Sequence, residues 1–153
     1  MIVVSDTSAI TSLIQIDRIE VLRELYGAIL IPPAVERELR AHHSAIPNFI
    51  EVTAIHDREA AARLLLEINR GEAEAIVLAK EVRANVLLID ERKGRAVALR
   101  EGIPIIGLVG ALIAAKHKGF LPSLATALDE LELKADFRIG AELRAAALQA
   151  AGE

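Results

Sequence analysis

Short apolar runs alternate along this chain with longer segments of helical period, and that alternation constrains the fold more than any other feature. IVVS (2–5), AILI (28–31), FIEVTAI (49–55), NVLLID (85–90) and IPII (103–106) have the length and branching of buried strands. Between them lie patterns too long for hairpin turns. Residues 8–27 read as helix with a break near Ile16 and Asp17. Pro32-Pro33 opens a helix through AVERELRAHH, because a first-turn proline lacks only an N–H with no helical partner. Asp57 is a natural cap for a helix over 57–69 that ends at Gly71, followed by helices over EAEAIVLAKEVR and ERKGRAVALREG. Strands joined by helices predict a parallel sheet covered on both faces, in one domain of 153 residues. The last helix, over about 138–153, is expected at the periphery. The apolar segments at 107–115 and 124–133 serve equally as core or as a dimer face.

Ligands of open parallel sheets bind beyond the carboxyl ends of the strands. Two acids fall there: Asp6 after IVVS, and Asp90 after VLLI. Each is equally a helix cap. Two acidic pairs lie on the intervening helices, Glu36 with Glu38 and Glu72 with Glu74. A spacing of two separates side chains on a helix by roughly 200°, so only one of each pair can face a given site. Glu72, next to Gly71, reads as a first-turn acid favoured by the helix dipole. Glu74 lies at the edge of the apolar stripe of Leu78 and Val82. The helical wheel does not choose between them.

Composition removes several alternatives. With no cysteine there is no disulfide, thiolate site or cysteine nucleophile. Four aromatic residues, Tyr26, Phe49, Phe120 and Phe137, are too few for base-stacking recognition. A net charge of −4 means that a nucleic acid would be met by local cations such as Arg92, Lys93 and Arg95 in DERKGR, or Lys116 to Lys118. No glycine-rich loop follows the first strand, against a dinucleotide-binding domain. Charges break every apolar stretch short of the ~20 residues of a membrane span. Met1 leads directly into the first strand-like run, so the expected location is the cytoplasm.

Four stretches together resemble the PIN-domain family, the α/β nuclease fold of VapC-type toxins. VVSDTSAI matches its first motif, IPPAVEREL its second, EAIVLA its third, and VLLIDERKGR its fourth, although the Thr usual in the fourth is absent. GEAEAIVLA, LLIDERKGR and GLVGALIAAKHKG also resemble a prokaryotic PIN-like subgroup often found without an assigned substrate. The resemblance implies a three-layer α/β/α sandwich with four to five short parallel strands. It also implies an endoribonuclease using Mg²⁺ or Mn²⁺, with Asp6, Glu38, Glu74 and Asp90 as the catalytic and metal-binding acids and Glu91 as an alternative to Asp90. Thr7 and Ser8 would support Asp6, and Arg92, Lys93 and Arg95 would meet RNA phosphates. Such proteins are typically homodimeric toxins blocked by an antitoxin protein. A PIN-like binding module with weakened metal binding is the alternative. Another Mg²⁺ phosphohydrolase, of the haloacid-dehalogenase type, wants an acid where Ser8 stands.

Overall fold

Parallel strands cannot be joined by a tight turn, so each must be followed by a crossover, here always a helix. The computed structural model describes residues 1–153. Strand β1 (Val3–Ser5) leads to helices α1 (Thr7–Gln15) and α2 (Glu20–Tyr26), and β2 (Ile29–Ile31) to α3 (Pro33–His42). Strand β3 (Ile50–Val52) precedes α4 (Arg58–Leu64) and α5 (Arg70–Glu81), and β4 (Val86–Leu88) precedes α6 (Arg92–Arg100). Strand β5 (Ile105–Ile106) is followed by α7 (Leu108–His117), α8 (Leu124–Lys134) and α9 (Ala141–Ala150). All strands are parallel, in the order β3-β2-β1-β4-β5.

Strand alternation feeds two cores. Val3, Ile29, Ile31 and Leu88 join one of 25 buried residues with the inner faces of α1, α7 and α8. Val4, Leu87 and Ile89 point the other way, into a cluster of 15 filled chiefly by α5 and α6. The result is the three-layer α/β/α arrangement expected of a PIN-like chain. Leu108, Leu112, Leu124, Leu128 and Leu131 are fully buried, so α7 and α8 are core helices. The break after α1 falls where the sequence suggests, at Asp17 with φ 58°, a conformation Asp tolerates better than most residues. Helix α9 buries Ala147 alone along its length.

One stretch departs from expectation. The helix begun by Asp57 stops at Leu64, and Gly71 does not end it; Gly71 lies in the first turn of α5. Asn69 and Glu72 form a capping box that starts α5 at Arg70. The expected third strand contracts to Ile50–Val52 at the sheet edge.

Candidate active site

The strand order reverses direction between β1 and β4, which are direct neighbours: Ser5 pairs with Leu88, and the Asp6 N–H donates to the Leu88 carbonyl at 3.1 Å. A crevice opens at such a switch point, outside the carboxyl ends of both strands. Asp6 and Asp90 emerge there. Asp6 caps α1, its Oδ1 accepting from the Ser8 N–H at 3.1 Å and the Ser8 hydroxyl at 3.3 Å. Capping locks the rotamer and leaves Oδ2 without a protein hydrogen bond. Cap and site are therefore the same carboxylate.

Asp6 is only 3% exposed. Burial pushes its pKa up to about 7, helped by the negative charges of Glu72 and Asp90 and opposed by the Ser8 bonds. Asp90 is also raised, mainly by burial; the Leu108 N–H on its Oδ1 at 3.0 Å and the neighbouring Arg95 work the other way. Its Oδ2 is buried without a partner.

Two helices bring further acids. On α3, Glu36 is taken by Arg40 at 3.1 Å, whereas Glu38 turns inward and accepts a hydrogen bond from the Thr7 hydroxyl. Gly71 makes room for it: a Cβ there would stand 2.7 Å from Glu38 Oε1. On α5, the capping box engages Glu72 Oε1 with the Asn69 N–H at 3.2 Å and leaves Oε2 buried and unpartnered. Burial raises the Glu72 pKa, and Glu91 and Glu38 add to the rise. Asp6, Thr7, Glu38, Glu72, Glu91 and Lys93 are among the residues lining one open cleft of about 860 Å³.

Glu74, favoured over Glu72 from the sequence, is not in this cleft. Its Oε1 accepts from the Ala34 N–H at 3.0 Å at the start of α3, and Oε2 lies 4.0 Å from Arg37. The physical reason is the start of α5. With Asn69 as cap, Glu72 occupies the first turn beside the sheet's carboxyl edge, and Glu74 leaves the helix on the opposite side. The spacing Asn69-x-x-Glu72 is a capping-box signature visible in the sequence, but reading Gly71 as a helix end obscured it. Arg95 likewise differs from expectation. Its Nη1 donates to the Ile89 carbonyl at 2.9 Å and its charge acts on Asp90, while Arg92 and Lys93 line the cleft.

A hard cation suits this donor set. Buried carboxylate oxygens without hydrogen bonds are costly, and Glu72 Oε2 and Asp90 Oδ2 are such atoms beside a third buried acid. A small hard cation keeps several waters and needs only one or two direct carboxylates, so the remaining acids can act through water or by rotation of a side chain. Glu38, engaged by Thr7, is a partly buried candidate for that rotation.

Fold and cleft thus define an α/β domain with a carboxylate-lined crevice at the switch point of a five-stranded parallel sheet. A family model described as a PIN domain matches residues 2–153, and the chain belongs to that family, whose members are generally nucleases. No curated protein matches the chain significantly. No helix is long and apolar enough to cross a membrane.

Proposed function

We propose that the protein is a divalent-metal-dependent endoribonuclease, hydrolysing RNA phosphodiesters in the cleft lined by Asp6, Glu38 and Glu72, with Asp90 buried next to Asp6 and outside the cleft lining. The observation that carries the reading is the pair of orphaned buried oxygens, Glu72 Oε2 and Asp90 Oδ2, accompanying an Asp6 whose pKa is raised to about 7. Mg²⁺ or Mn²⁺ would be held by Asp6, Glu72 and Asp90, with Glu38 or Glu91 completing the oxygen donors. Such an ion, when bound, supplies Lewis-acid polarisation of a phosphoryl oxygen and lowers the pKa of water.

The chain's own groups have distinct tasks. Ser8 fixes the Asp6 rotamer and leaves Oδ2 free to act as an oxygen donor to the ion. Thr7 holds Glu38 near the same region. Arg92 and Lys93, exposed on the rim, pair with substrate phosphates and offset the acids' repulsion. Arg95 steadies Asp90 from behind the strand. In its cellular role we read the protein as a cytoplasmic, homodimeric toxin restrained by an antitoxin protein, on the strength of the four family motifs.

The missing threonine of the fourth motif, VLLIDERKGR, favours one second reading, a PIN-like module that binds RNA with weakened catalysis. Incubating RNA with the protein and Mn²⁺ separates the two. Cleavage that disappears in Asp6→Asn supports the nuclease; retained RNA binding with no cleavage at any Mn²⁺ concentration supports the module.

A further inference from the structure

On the far side of α3 and α5 from the acids lies a second cavity of about 340 Å³, lined by Arg37, Arg58, Arg70 and Glu74 with Leu65 and Ile55. Leu65 also lines the acidic cleft, so the two cavities adjoin across one side chain. Three arginines, from three different helices, line it with one carboxylate, and Arg37 alone comes within 4.0 Å of that group. That carboxylate is committed elsewhere, with Oε1 on the Ala34 N–H and Oε2 4.0 Å from Arg37.

These arginines are largely uncommitted, as are Arg63, Arg83, Arg92 and Arg138 elsewhere in the chain; what sets them apart is that three of them line one concavity. Arg18, Arg23, Arg40, Arg100 and Arg144 each hold a carboxylate at 3.1 Å or less. Arg58 and Arg70 are exposed and have neither an ion-pair nor a hydrogen-bond partner, and Arg37 has only the long contact to Glu74. In a chain of net charge −4, free guanidiniums gathered around one concavity next to an acidic cleft form a local field of the opposite sign. Guanidinium forks match the oxygens of phosphates as they do those of carboxylates, and the cavity's position beside the nuclease cleft selects the phosphodiester.

We infer that this cavity is a backbone-anchoring subsite for the RNA strand. It binds a phosphate on the strand outside the cleavage position, while Arg92 and Lys93 meet phosphates on the acidic side. The inference rests on the nuclease reading for its purpose and on the arginines for its existence. It adds to Arg92 and Lys93 a second source of affinity that does not depend on the catalytic acids. The strand would cross Leu65 on its way between the two cavities.

The test is Arg58→Ala/Arg70→Ala. Both residues are exposed and unpartnered, so its melting temperature should equal that of the parent. Binding of a labelled single-stranded RNA is followed by anisotropy over a salt series, with Ca²⁺ replacing Mn²⁺. Affinity is expected to fall on the order of ten-fold, and the slope of log K against log salt to become shallower by about 1.4, two contacts at roughly 0.7 each. With Mn²⁺, KM for a long RNA should rise while cleavage of a dinucleotide, too short to span Leu65, stays unchanged. Arg58→Lys/Arg70→Lys should recover part of the affinity, since charge remains but the fork is lost. Unchanged binding in the alanine variant of a protein that cleaves RNA overturns the anchor and leaves the nuclease intact. Binding lost in the variant, from a parent that never cleaves, overturns the nuclease and leaves the anchor. A parent with no affinity for RNA overturns both. Polyglutamate competing as well as RNA at equal charge assigns the cavity to a protein's carboxylates and overturns the RNA subsite.

Discussion

Helix α5 carries two buried glutamates two residues apart, and its two sides treat them in opposite ways. Glu74 is electrostatically at rest: a backbone N–H at the start of α3 satisfies one oxygen, and Arg37 stands near the other. Glu72 is not. One oxygen closes the capping box; the other is buried beside Asp6, Glu38 and Glu91 with nothing to receive. A folded chain satisfies buried polar groups almost everywhere. The side of α5 that does so is structural, and the side that does not is where a ligand has something to offer. Equal burial thus hides unequal chemistry.

The largest expected effect lies on the Glu72 side, at Asp6. Its pKa is raised from 3.8 to about 7, so the unfolded chain ionises first as pH rises. Asp6's contribution to the stability of the metal-free protein is then fully present below about pH 4 and is lost as pH climbs through about 7. The loss is on the order of 4 kcal/mol. Asp6→Asn removes that ionisation, keeps an oxygen for the Ser8 N–H, and should abolish RNA cleavage. Denaturation in EDTA at pH 8 should find the variant more stable than the parent. Equal stability at both pH 4 and pH 8 would show that Asp6 is not electrostatically stressed.

Next in size is the metal's own contribution. Mn²⁺ at a hundred times its dissociation constant should stabilise the protein by about 2.7 kcal/mol. Glu72→Gln should lose most of that gain and the cleavage with it, while Glu74→Ala keeps both. A calorimetric titration in which Glu74→Ala loses Mn²⁺ binding and Glu72→Gln does not would reverse the comparison.

Glu74→Ala should instead unfold more readily, by about 1–3 kcal/mol, because the Ala34 N–H is left buried without its acceptor. A urea midpoint unchanged from the parent would deny Glu74 its structural part. The smallest effect on stability is expected at Gly71→Ala. The added Cβ would come within 2.7 Å of Glu38 Oε1, the far end of a side chain that can swing aside, and alanine's helix propensity offsets the cost. Stability should stay within about 1 kcal/mol of the parent while cleavage drops, because Glu38 is displaced. Activity that tracks stability would mean that Glu38's position does not matter.

Much of the architecture is legible in the residues alone. The apolar period announces strands and helices, Pro33 and Asp57 mark helix starts, and two strands visibly end in aspartates. All of these are local signals carried by a handful of neighbours. The glutamates were harder, because the side of a helix that faces a site depends on where its first turn begins. A glycine at 71 looks like an ending when read in sequence and proves to be clearance for a carboxylate from another helix. Arg95 follows the same rule: nothing in DERKGR tells that its guanidinium folds back onto the Ile89 carbonyl while Arg92 and Lys93 stay outside.

Periodicity and capping act over a few residues, so the order of elements, the two-faced burial of the sheet and the arrival of Asp6 and Asp90 at the carboxyl ends of their strands are already set by neighbouring residues. Which strands adjoin, that Glu38 and Glu72 share a cleft with Asp6, and that Glu74 turns to the Ala34 N–H and Arg37 are visible only in the folded chain. Those outcomes depend on strand order and helix rotation, which are set by packing between segments distant in the chain.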